Sequence, residues 1–132
     1  MLRAISAFPL LTFVLAAFNV VFWMPGVSLE SILLKFVMPS GALLEITMGD
    51  ILLIAALLIL FFETLKSTGT SNLSILDHIL STGVFVLALV EFLLVPQAGN
   101  AWFLMLVIIC FMDVAAGYAV SIRAARRDVS VK

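Results

Sequence analysis

The stretch ILDHILSTGVFVLALVEFLLV, residues 75–95, decides how the rest of the chain is read. It is long and apolar enough to cross a hydrocarbon core of about 30 Å. Yet it carries Asp77, His78 and Glu91. Charged groups at such depth are costly, so they face other protein, face water, or take part in a process. The remaining chain therefore has to supply a bundle that shelters this segment.

Composition agrees. Of 132 residues, 64% are hydrophobic and only 11% charged, against about half and a quarter in soluble domains. With mean hydropathy at +1.30, the expected solvent for most of the surface is lipid. Seven Lys and Arg with no long basic run give nucleic-acid binding no support. The lone cysteine, Cys110, sits in an apolar run and is expected as a small buried hydrophobe.

Outward from the central segment, three more spans are expected, at residues 4–24, 50–65 and 101–122. The first follows a basic start, Met1-Leu2-Arg3, but its apolar run exceeds a cleavable h-region of about 7–15 residues. A retained helix is the expectation, with Pro9 in its first turns, where proline does least harm. Pro25-Gly26 ends it.

Residues 28–38 place Leu29, Ile32, Leu33, Phe36 and Val37 at helical spacing behind Ser28, which predicts a short amphipathic helix in the interface. The competing expectation is a hairpin of Val37 and Met38 with residues 43–48, where Leu44, Ile46 and Met48 alternate with Glu45 and Thr47. Asp50 is expected to cap the second span, and Glu63 and Lys66 mark its far end. KSTGTSNLS, residues 66–74, is a polar connection between antiparallel neighbours. The predicted fold class is an all-α membrane protein: one four-transmembrane-helix bundle, with an outer-face amphipathic helix or hairpin between spans 1 and 2.

Orientation follows from charge. Four spans put both termini on one side, together with Arg3, Lys66, Arg123, Arg126, Arg127 and Lys132, leaving only Lys35 opposite. That bias predicts cytoplasmic termini, with Trp23 and Trp102 at the outer interface.

The candidate site residues are the intramembrane polar groups Asn19, Asp77, His78, Glu91 and Asp113. At 100° per residue, Asp77 and Glu91 fall about 40° apart around the axis and about 21 Å apart along it. They share a stripe with Ser81, Val84 and Ala88 that is expected to face the interior, too far apart to work as a carboxylate pair. Asp77 suits the positive end of a helix dipole, and the functional alternative makes Asp77 and His78 a titratable pair at a proton entrance. Glu91, Asn19 and Asp50 are expected to form a hydrogen-bonded clasp.

Asp113 is the deepest charge of the four spans. The small residues Ala115-x3-Ala119 and Gly117-x3-Ser121 predict close contact with the third helix, where Ser81, Thr82 and Gly83 lie at matching depth. A packed Asp113 and a proton-relay Asp113 both fit that placement. One histidine without a second ligand at suitable spacing gives no metal site, and no cofactor is expected. A catalytic triad, a phosphate loop and a nucleophile–base pair are likewise missing from the pattern, so no catalytic residue is predicted.

The runs MPSGALLEITMGD, SILDHILS, VEFLLVP and IRAARRD resemble small four-span bacterial inner-membrane proteins with no assigned activity. The resemblance implies a bacterial inner membrane and transfers no functional residue. The expected function is non-enzymatic: an accessory or scaffold subunit whose partners are the lipid bilayer and other membrane-protein subunits, or its own copies. The alternative is a small transporter or proton-conducting protein using the acids of spans 3 and 4.

Overall fold

The computed structural model describes residues 8–68 and 72–130. Arg3, Lys132, residues 4–7 of the expected first span and the middle of the polar connection lie outside the described residues. Four helices and one hairpin follow in order: α1 (Leu11–Trp23), β1 (Ile32–Val37), β2 (Leu43–Thr47), α2 (Met48–Lys66), α3 (Asn72–Leu94), a 3-10 turn (Pro96–Ala98) and α4 (Ala101–Ser130).

Three of these, α2, α3 and α4, are long and apolar enough to cross a membrane by length and composition. The fourth, α1, has 13 described helical residues, about 20 Å at 1.5 Å each. It buries Leu11, Val14, Leu15, Phe18 and Val21, one stripe at 3–4-residue spacing.

The hub is α4, which packs on α3 and α2 and also touches α1. Its inward stripe is Phe103, Leu106, Val107, Cys110, Asp113 and Gly117. Phe103 meets Phe18 edge-on, with ring centroids 5.6 Å apart at 87°, a favoured aromatic geometry. Outward-facing Leu57, Leu58, Phe61 and Phe62 on α2, and Leu87 and Leu93 on α3, are more than half exposed. Such residues suit lipid and are unfavourable in water.

Helix boundaries differ from the expectations in four places. Helix α1 begins at Leu11, so Pro9 precedes it instead of lying in its first turns. The N-cap of α2 is Thr47, not Asp50. The Thr47 hydroxyl accepts from the Asp50 N–H at 3.2 Å and the Asp50 carboxylate accepts from the Thr47 N–H at 2.9 Å, a reciprocal capping box. Helix α3 begins at Asn72 rather than residue 75. Helix α4 does not stop at residue 122 but runs unbroken to Ser130. Ala, Arg and Val offer no cap or break there, so the helix extends about 12 Å past Ile122.

Of the two expectations for this stretch the hairpin forms, not the amphipathic helix, and its first strand is 32–37 rather than Val37 and Met38, so the chain is not all-α. Antiparallel β1 and β2 pair Lys35 with Glu45, Phe36 with Leu44 and Val37 with Leu43. The turn explains the choice. Gly41 N–H donates to the Met38 carbonyl at 2.8 Å, Pro39 and Ser40 lie between, and Gly41 adopts φ +84. Proline pre-sets the turn's second residue, and glycine takes the left-handed position that follows it. At the base, Met48 and Gly49 N–H groups donate to the Ser31 and Leu29 carbonyls, both at 2.9 Å. The hairpin is thereby anchored to the first turn of α2.

Candidate functional site

At the end of the bundle opposite the hairpin, polar side chains of α2, α3 and α4 come together beside the backbone that leads into α1. Glu63 is 1% exposed, on the last turn of α2. Its Oε1 accepts the Leu10 N–H at 2.7 Å, a donor that helix entry leaves without an intrahelical partner. Lys66, one turn further, donates to Glu63 at 3.1 and 3.2 Å, to Asp77 at 3.4 Å and to the Phe8 carbonyl at 3.1 Å. One ammonium therefore joins α2, α3 and the segment leading into α1.

Asp77 is not in the first turn of α3. Since the helix starts at Asn72, the carboxylate sits in its second turn and pairs with Lys66 instead of serving the helix dipole. His78, next to it, is also buried. Its Nε2 lies 2.6 Å from the Ser121 hydroxyl, and its ring stands 5.5 Å from that of Tyr118. Gly117 makes room: a Cβ there would meet the His78 ring at 2.7 Å. Thr82 donates to the His78 carbonyl at 2.8 Å and stands 3.4 Å from the Tyr118 hydroxyl.

Asp113 enters the same region from α4. It is 8% exposed, beside the Ser81 hydroxyl and within electrostatic range of Glu63, Asp77 and Lys66. Three buried carboxyl groups thus surround one lysine. They are held by Lys66, by the Leu10 N–H and by the Ser81 hydroxyl, as a low-dielectric interior requires.

The interior stripe of α3 is as expected, with Asp77, Ser81 and Ala88 buried and Val84 and Glu91 partly so. The small-residue pattern on α4 divides. Gly117 and Ser121 hold His78, whereas Ala115 and Ala119 are exposed.

The three-residue clasp at the other end does not form. Asn19 faces Glu91 but donates to the Leu15 carbonyl of its own helix at 3.1 Å. Glu91 Oε1 is buried without a hydrogen-bond partner among the described residues. Asp50 is engaged elsewhere, accepting from Thr47 and from the Trp102 indole at 3.0 Å. Trp102 therefore turns inward, against the Gly49 backbone, while Trp23 remains 67% exposed.

Sequence reasoning found Asp77, His78 and Asp113 but missed Glu63 and Lys66 as members of their cluster. The available signal was an acid and a base at i, i+3 closing an otherwise apolar run, which puts both on one helix face. Among the described residues, no group of three or more His, Cys, Asp or Glu is disposed to hold a metal ion. Comparison with protein-family models, curated proteins and solved structures finds no match for this chain.

Proposed function

We propose that the protein is a non-enzymatic accessory or scaffold subunit that assembles with another membrane protein through its hairpin. The carrying observation is the surface of that hairpin. Leu34, Phe36, Leu44 and Ile46 share one face, and the first three are 43–49% exposed. The opposite face has the Lys35–Glu45 ion pair at 2.8 Å, flanked by exposed Leu33, Val37 and Leu43. The sheet has only two strands, so each keeps an outer edge unpaired among the described residues.

A lone two-stranded hairpin is marginal in water. Lipid covers apolar side chains but cannot satisfy the N–H and C=O groups of an open edge. A protein strand or loop added to that edge does both.

The same reading puts the chain in a bacterial inner membrane with cytoplasmic termini. In its support, Arg123, Arg126 and Arg127 fall at the cluster end and Lys35 at the hairpin end. A carboxy-terminal reporter active only in the cytoplasm checks the orientation. Purification in mild detergent at native expression checks the assembly. A second polypeptide is expected to stay bound, and recovery of the isolated chain alone contradicts the proposal.

A second reading rests on the three carboxyl groups around Lys66. A buried cluster with more acids than bases is a possible station for protons or cations between α2, α3 and α4. It predicts liposome proton flux that Asp113→Asn abolishes. Flux equal to that of protein-free liposomes removes this reading.

A further inference from the structure

Beyond Ile122, α4 carries Arg123 and Arg127, one helical turn apart on one face. They line a cavity of about 460 Å³ together with Val120 and Asp128 of α4 and Thr68 at the end of α2. Arg126 points elsewhere, onto an apolar surface formed with Ile122, Ala125 and Val129. Among the described residues, neither Arg123 nor Arg127 has an ion-pair partner within 4.0 Å.

Depth gives the cavity a setting. Arg123 lies 22 residues past Ala101, about 33 Å along the helix, against a hydrocarbon core of about 30 Å. If α4 enters the membrane near Ala101, the cavity opens at the level of the lipid phosphates. Below it, Val120 supplies an apolar wall where an acyl chain would begin.

We infer that this cavity binds the headgroup of an anionic phospholipid bearing free hydroxyls. Two guanidinium groups offer forked donors to one phosphodiester, a geometry that suits arginine better than lysine. Asp128 would repel a bare anion, but its carboxylate and the Thr68 hydroxyl are acceptors for headgroup hydroxyls. Paired cations with a nearby acceptor match a phosphate ester of a polyol. The inference needs α4 to cross a bilayer and is independent of what docks on the hairpin.

Native mass spectrometry of the full chain from nanodiscs tests it, with dioleoyl phosphatidylglycerol as probe and dioleoyl phosphatidylcholine as comparison. The phosphatidylglycerol adduct is expected to persist and the phosphatidylcholine adduct to be lost. Arg123→Lys/Arg127→Lys keeps the general attraction of a basic surface and removes the forked contacts, so affinity should fall about tenfold. Arg126→Gln should cost less than the roughly fivefold expected of one surface arginine. Equal retention of both lipids, or equal loss in the two variants, overturns the proposal. So does displacement of the lipid by millimolar inorganic phosphate, which would make free phosphate the occupant.

Discussion

The Glu63 carboxylate accepts the backbone N–H of Leu10 at 2.7 Å, tying the entry of α1 to the last turn of α2 across 53 residues of sequence. Removing it leaves that N–H without an acceptor and Lys66 with Asp77 as its remaining carboxylate partner. Breaking a buried pair from one side costs about 3–5 kcal/mol. Lys66 is 25% exposed, so the lower end applies: Glu63→Ala should destabilise by about 3 kcal/mol. Glu63→Gln, which keeps an acceptor, should cost less. Thermal unfolding in detergent separates the two.

His78 should be held as a unit with Gly117 and Ser121. Gly117→Ala puts a methyl against the ring at 2.7 Å, and the ring can yield only by leaving the Ser121 hydroxyl. The expected cost is about 1–3 kcal/mol. Ser121→Ala alone should cost about 1 kcal/mol. Combined, the two should be clearly less than additive, because the first already removes what the second tests. Simple additivity in a double-mutant cycle would mean the ring does not link them.

Much of this arrangement was legible beforehand, and the failures have physical causes. The three helices long and apolar enough to cross a membrane, the inward stripe of α3 and the contact of α3 with Gly117 and Ser121 follow from composition, periodicity and small residues. Residues 28–38 satisfy helical spacing through Leu29, Ile32, Leu33, Phe36 and Val37, yet 32–37 fold as a strand. A nearly continuous apolar run fits either period. The turn at Pro39, Ser40 and Gly41, by bringing 43–47 alongside, decides between them. Glu63 and Lys66 stood at the correct end but without a partner, since periodicity gives a residue's face and not which helix lies opposite. Asp50, expected as the cap of the second span, stands instead at the third helical position, where it closes the box whose cap is Thr47.

The start of α2 offers a third test. Trp102→Phe keeps an aromatic ring over Gly49 and removes only the donor to Asp50. A loss of about 1 kcal/mol is expected, and Thr47→Ala should cost a similar amount through the cap. Fluorescence gives a second readout. Trp23 is 67% exposed, so the Trp102→Phe protein should report the exposed indole alone. An emission spectrum unchanged by the substitution would contradict the inward position of Trp102.

Cys110 is 1% exposed, within the stripe of α4 that faces the other helices. In the folded protein a maleimide should leave it unlabelled for hours, and denaturation in sodium dodecyl sulfate should expose it at once. Rapid labelling in mild detergent would mean that the bundle opens locally around α4.

The central claim is assembly through the hairpin, and site-specific photo-crosslinking in native membranes tests it most directly. A benzophenone amino acid replacing Phe36 probes the exposed strand, and one replacing Leu57 probes the outward face of α2. The account predicts that the Phe36 position yields an adduct heavier by a whole polypeptide, diminished when Lys35 and Leu34 are replaced by proline. Lipid-sized adducts alone at Phe36, indistinguishable from those at Leu57, would contradict it.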